Sequence, residues 1–139
     1  RDRVCAVSNK THYNEMNVLS MHALIGAYQP QGYEWVDELN QVLAGNIEYF
    51  CTYSEKHWKG VAFSRPQGTY MVFLDCTEWC REHGRDIQWL LDEGARVGVG
   101  YQDGRPFYGP CHIRVNLALP LSRVREACDR LDRYVFNAR

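Results

Sequence analysis

No apolar run in this sequence approaches the roughly 20 residues that a membrane-spanning helix needs. Charge of one sign is also missing. Lys+Arg total 16 against Asp+Glu 17, a formal net charge of -1, so no long-range field draws the chain to nucleic acid or to an anionic membrane. There is no G-x-S-x-G elbow, no Walker loop and no G-x-G-x-x-G fingerprint. The nearest phosphate-loop mimic, GVGYQDG at 98–104, opens no helix. Internal repeats and low-complexity tracts are absent. The start carries no signal-peptide pattern and no initiator methionine; it opens on RDRV, as a fragment does. Lysine is scarce, with only Lys10, Lys56 and Lys59.

What is present describes one globular domain. The chain has 139 residues, 45% of them hydrophobic and 13% aromatic, enough for a packed core. Its cysteines are Cys5, Cys51, Cys76, Cys80, Cys111 and Cys128. An even count permits disulfides, but the chain is long for a stapled mini-domain. Several of the six sit inside apolar patterns, where free cysteine behaves as a small hydrophobe. The expectation is reduced thiols and a cytoplasmic setting.

Residues 1–13 are polar and give no clear element. Asn14 to Tyr28 reads as a helix that is apolar almost all round, and such a helix is expected to expose a patch that another surface covers. Gln29 to Gly32 reads as a turn. Trp35, Val36, Leu39, Val42, Leu43, Ile47 and Phe50 then mark a long amphipathic helix to about Lys56. Val61 to Phe63 and Tyr70 to Leu74 read as strands around a tight turn at Arg65–Gly68. Thr77 to His83 reads as a short helix. Asp86 is placed to cap the next one, which Gly94 is expected to end. Val97 and Val99 are expected to open another strand, followed by a loop from Gln102 to Cys111. After Pro120, Ser122 is the expected cap of a last helix burying Val124, Cys128, Leu131 and Val135. The order predicts an α/β two-layer sandwich: a small, mostly antiparallel sheet with helices on one face, preceded by a long helix pair.

The segment His112–Pro120 is the organising strand. Ile113, Val115, Leu117 and Leu119 alternate with Arg114, Asn116 and Ala118. One face is apolar, and the other holds a guanidinium beside an amide. A guanidinium on a rigid strand suits a carboxylate or phosphate, which it grips in two parallel hydrogen bonds. Cys76, Cys80 and His83 form C-x3-C-x2-H, with Cys111 or His112 available as a fourth ligand. That spacing is not a usual zinc knuckle, and no metal is expected. His12, His22, His57 and His112 are scattered with no nucleophile beside them. Lys10, in SNKTHYN, is superficially similar to a Schiff-base lysine context but reads as a surface lysine.

Three segments, taken in order, match a known pattern. They are NVLSMHALIGAYQPQGYEWVDELNQVLAGN at 17–46, PQGTYMVFLD at 66–75 and VGVGYQDGRPFYGPCHIRVNLALPLSRVREACDRL at 97–131. The chain resembles the C-terminal small domain of class I/II aminotransferase-like, fold-type I pyridoxal phosphate enzymes. The branch is that of cystathionine β-lyase and the C–S lyases, to which the maltose-regulon modulator belongs. The resemblance implies that Arg114 binds the α-carboxylate of an amino-acid substrate. Asn116 would support it, and Tyr70 and, less closely, Phe107 would lie near the cleft. It also implies a homodimeric parent that carries the Schiff-base lysine and the cofactor contacts in a large domain absent here. The expectation is therefore a small-domain fragment without catalytic residues or bound cofactor of its own. The parent would be an aminotransferase, as the broad label, or a C–S lyase. The alternative is a free-standing interaction or regulatory module that uses the Arg114 face for a small carboxylate or a protein partner.

Overall fold

The computed structural model describes residues 1–12 and 16–137. The chain divides into two compact units, Arg1–Leu39 and Asn40–Arg139.

In the first unit, α1 (Asp2–Thr11) occupies the stretch that gave no element by sequence. Asp2 in its first turn and Lys10 in its last complement the helix dipole, a term that hydrophobic periodicity does not register. Helix α2 (Val18–Ala27) is shorter than the expected Asn14–Tyr28 helix, and Asn14 and Glu15 lie outside the described residues. Asn17 caps it, its side-chain oxygen accepting the Ser20 N–H at 2.9 Å. Neither helix buries a residue. The expected turn at Gln29–Gly32 is instead the start of α3 (Pro30–His57). Proline fits a first helical position because the N–H it lacks would have no partner there.

The second unit is built on one antiparallel sheet of order β1-β2-β4-β3. Its strands are β1 (Ala62–Phe63), β2 (Met71–Asp75), β3 (Gln102–Asp103) and β4 (His112–Asn116). Register sets Val72 opposite Val115 and Leu74 opposite Ile113, so these four side chains share one face. All four are buried, in a cluster with Phe50 and Trp58, Trp79 of α4 (Thr77–His83), Leu90 of α5 (Ile87–Arg96) and Val124, Cys128 and Leu131 of α6 (Leu121–Leu131). A π-helical turn, Asp132–Phe136, continues α6 and buries Val135 and Phe136. The architecture is the α/β sandwich read from the sequence, with its helical layer on the Val72–Ile113 face.

Several local expectations fail for identifiable reasons. Gly94 does not end α5, which runs two residues further; it is buried in the last turn, and a side chain there would run into the Tyr101 ring. Val97 and Val99 open no strand, because Val97 closes α5 and Gly98 turns the backbone at φ 75°. Ser122 caps nothing; Pro120 takes the cap position, and its carbonyl receives the Arg123 N–H at 2.8 Å. The strand predicted to Pro120 stops at Asn116. Leu117 remains buried, whereas Leu119 is 48% exposed, so the alternation breaks at its last step. Asp86 does cap α5, its carboxylate accepting the Trp89 N–H at 2.8 Å.

Candidate functional site

With Val72, Leu74, Ile113 and Val115 turned to the core, the other sheet face holds their neighbours. Arg114 lies directly opposite Phe73 on one side and Gln102 on the other. Asp75 faces His112, and Met71 faces Asn116. Side chains opposite one another across an antiparallel pair point the same way. The open face is therefore a short aromatic and polar floor with Arg114 at its middle.

Arg114 is half-buried rather than fully open, because a roof crosses it. Between β3 and β4 the chain makes a 3-10 turn, Arg105–Phe107, and brings the Phe107 ring centroid to 4.2 Å from the guanidinium carbon. This is a cation–π contact. The roof is held at both ends. The Asp103 carboxylate accepts the Arg105 backbone N–H at 2.9 Å and its side chain at 2.7 Å. The Gly104 N–H donates to the His112 carbonyl at 2.8 Å. A side chain at Gly104 would collide with that carbonyl, and one at Gly109 would meet Phe73 and His112. The glycines of the DG and GP pairs thus let the roof lie close on the sheet.

Among the described residues no carboxylate pairs with Arg114, and its Nε is buried without a hydrogen-bond partner. A charged donor withdrawn from water and left unpaired is unfavourable unless something arrives to accept from it. The arrangement suits an anion with two coplanar acceptor oxygens.

The other expected residues divide. Asn116 is on the same face but does not brace Arg114; its side-chain oxygen turns back to accept the Ala118 N–H at 2.8 Å. Tyr70 is exposed just before β2, and its carbonyl accepts the Leu117 N–H at 3.0 Å, which places it at the Asn116 end of the sheet. Phe107 is nearest to the guanidinium.

Sequence reasoning passed over His112 in this role, although it sits two residues before Arg114 on the same alternation. Its ring lies 4.6 Å from that of Phe73, and its Nε2 is 3.9 Å from the Asp75 carboxylate. Burial pushes the Asp75 carboxyl up. Hydrogen bonds from the Thr77 side chain and backbone, with the nearby His112, outweigh it and leave the pKa below the usual value. Asn46 was missed too. Its buried amide donates to the carbonyls of Leu117 at 2.9 Å and Leu119 at 2.7 Å, pinning the irregular segment that leaves β4. Its signal was position: Asn46 falls between Leu43 and Phe50 at helical spacing, on the apolar stripe of α3.

Cys76 and Cys80 are buried, but His83 turns away, stacked on Trp79 at 4.3 Å with its Nδ1 2.8 Å from the Trp79 carbonyl oxygen. Among the described residues no three His, Cys, Asp or Glu side chains form a metal-holding group. All three lysines are exposed; Lys10 and Lys56 lie in the last turns of α1 and α3.

No protein-family profile matches the chain. A protein of Mycobacterium leprae named "Putative cystathionine beta-lyase" is 33% identical over 124 residues, covering 78% of this chain and 30% of that protein. A protein of the same name from Mycobacterium tuberculosis is 29% identical over 128 residues, with the same two coverages. The chain therefore spans about 30% of the curated relatives it matches. Among solved structures, the pyridoxal phosphate-bound C–S lyase of Staphylococcus hominis superposes with a TM-score of 0.80 at 23% identity, over 95% of this chain and 35% of that one. Cystalysin of Treponema denticola, which contains pyridoxal 5'-phosphate, gives 0.72 at 22% identity, over 85% and 29%. A Thermus thermophilus aspartate aminotransferase variant gives 0.77 at 18% identity, over 94% and 34%.

Proposed function

We propose, for a chain that is a fragment-length relative of the class I/II aminotransferase-like, pyridoxal phosphate-dependent enzymes of the cystathionine β-lyase branch, that it is their small domain and binds the α-carboxylate of an amino acid through Arg114. The observation that carries the reading is the half-buried guanidinium, without a carboxylate partner among the described residues, under the Phe107 ring. The Phe107 ring lies 4.2 Å from the guanidinium carbon, and the guanidinium N–H groups would serve a carboxylate. Asn116 and Tyr70 would line the approach from the far end of β4 and contact the substrate beyond its carboxylate.

The resemblance implies no cofactor site on this chain itself. The three lysines are exposed, and none lies in a strand of the sheet that carries Arg114. A large domain in the parent would hold pyridoxal phosphate, and Arg114 would orient the substrate toward it. This orientation serves amino transfer and C–S cleavage alike, so the broad label is aminotransferase with C–S lyase beside it. The resemblance extends the proposal to a homodimeric, cytoplasmic parent, and six free cysteines suit a reducing compartment. No described helix is long and apolar enough to cross a membrane.

Steady-state kinetics on a protein that joins this chain to its cofactor-binding remainder test the reading. Lysine offers a point charge where arginine offers a planar fork. Arg114→Lys should lose about one charged hydrogen bond of roughly 1.5–3 kcal/mol. Its kcat/KM then falls on the order of tenfold to a hundredfold, and its preference for an amino acid over the decarboxylated amine weakens. An unchanged preference in Arg114→Lys and Arg114→Ala overturns the assignment.

A further inference from the structure

Among the described residues, three buried side-chain nitrogens have no hydrogen-bond partner. Two of them, Arg114 Nε and His112 Nδ1, belong to side chains on the same face of β4, two residues and so roughly 7 Å apart along the strand. One turn covers both. The Phe107 ring sits 4.2 Å from the guanidinium carbon, the Gly104 N–H donates to the His112 carbonyl at 2.8 Å, and the His112 N–H donates to the Gly109 carbonyl at 3.2 Å. His112 is itself held. Its ring lies 4.6 Å from that of Phe73, and its Nε2 faces the Asp75 carboxylate at 3.9 Å. That carboxylate accepts the Thr77 N–H at 2.9 Å, which fixes its place. A carboxylate beside Nε2 favours the neutral tautomer that carries its proton there. The other tautomer would aim a lone pair at Asp75 and bury an N–H that has no acceptor. Nδ1 is therefore an unfilled acceptor, and the Arg114 Nε–H is an unfilled donor on the next side chain of the same face.

We propose that His112 is a positioning residue for Arg114, its Nδ1 receiving the Arg114 Nε–H through one water enclosed beneath the Arg105–Phe107 turn. A water accepts from the guanidinium and donates to the imidazole, so it matches both unfilled groups at once. Asp75 sets the tautomer by its charge, His112 holds the water, and the water holds the guanidinium. The link restrains rotation at the end of the arginine side chain and leaves the terminal N–H groups for a carboxylate. Its effect on substrate binding rests on the Arg114 reading; the link between the two side chains does not. Stacking alone is a different role, since a phenylalanine at 112 would keep the contact with Phe73 and lose the acceptor. An asparagine would lose the ring and keep an acceptor oxygen close to the Nδ1 position. The two substitutions therefore separate the roles.

The test begins with NMR on this chain, isotopically labelled and held in mildly alkaline buffer. Long-range proton–nitrogen spectra read the tautomer of each imidazole, and His112 is assigned by its absence from His112→Asn. The expected form is Nε2–H with Nδ1 unprotonated; an Nδ1–H form overturns the proposal. Solvent exchange of the Arg114 Nε–H is then followed. Protection is expected in the unsubstituted chain and in His112→Asn, and its loss in His112→Phe. Protection that survives in His112→Phe, or that is missing from the unsubstituted chain, overturns the link. Should a variant fail to fold, the tautomer and the exchange of the unsubstituted chain decide. Kinetics on the protein that joins this chain to its cofactor-binding remainder read the consequence. In His112→Phe the KM for the amino acid should rise about twofold to tenfold, the loss of one neutral hydrogen bond, and the KM for the decarboxylated amine should not change. His112→Asn should restore the parent value. An unchanged KM in His112→Phe, where Arg114→Lys does lose its preference for the acid, overturns the positioning role and leaves the Arg114 reading standing. If Arg114→Lys changes nothing either, it is the Arg114 reading that fails, and the exchange data alone decide the link.

Discussion

Helices α2 and α5 are both 10 residues long, and their fates are opposite. VLSMHALIGA is apolar on every side and buries nothing. IQWLLDEGAR carries charge and polar groups, yet buries Ile87, Leu90 and Gly94. Total hydrophobicity therefore does not decide what enters a core. A one-sided stripe lets α5 cover the sheet with one face while water solvates the other. In the same chain α2, with no polar side to show, leaves Val18, Leu19, Leu24 and Ile25 exposed.

The comparison breaks most cleanly by truncating one leucine in each helix. Leu90 is fully buried, so Leu90→Ala should cost about 2–5 kcal/mol through lost transfer and a residual cavity. Leu24 is 48% exposed, and Leu24→Ala should fall within about 0.5 kcal/mol of the parent. Urea unfolding of the whole chain, followed by far-UV circular dichroism and by the tryptophan signal, measures both. Equal costs would mean that α2 packs as α5 does.

A smaller effect sharpens the same contrast with a polar residue. Asn46 is as buried as the core leucines, and its two hydrogen bonds hold the carbonyls of Leu117 and Leu119. Asn46→Leu keeps the number of side-chain heavy atoms, leaves the Leu119 carbonyl without this donor and leaves the Leu117 carbonyl with the Leu119 N–H alone. The expected cost is about 1–3 kcal/mol, read by the same unfolding curves. A neutral or stabilising result would show that the segment after β4 is held by its apolar contacts alone.

The smallest expected effect is on the open face. The folded pKa of Asp75 is below its unfolded value, so its contribution is complete above the ordinary carboxylate range. It disappears as pH falls through the lowered folded value. The Tm difference between the parent and Asp75→Ala should accordingly be largest near neutrality and close in acid. A difference that is flat with pH would deny the Thr77 hydrogen bonds and His112 any hold on that carboxylate.

Legibility followed periodicity. The stripes of α5 and α6 and the alternation through Val115 gave the elements and most of the core, because each pattern has a single buried face. Expectations failed where a long-range contact or backbone geometry overrode the local signal. Gly94 reads as a stop until Tyr101 is seen to need its missing side chain, and Val97 and Val99 read as a strand until Gly98 turns the chain. At the site, Arg114 was legible from its strand phase. Asn116 was credited with a support that its bond to Ala118 takes away, and His112 was considered only as a ligand.

The sequence by itself determined the class of fold and the face on which Arg114 stands, since strand alternation fixes which side chains share a side. It also carried the similarity to pyridoxal phosphate enzymes, through the order and spacing of three segments. Only the tertiary structure decided what surrounds that arginine. Phe107 reaches it because the chain reverses between β3 and β4, and Asn46 reaches the end of β4 across 71 residues of sequence. Cys76 meets Cys111 because two strands pair antiparallel. Contacts between residues far apart in the chain depend on register and on the path of the backbone, and local pattern specifies neither.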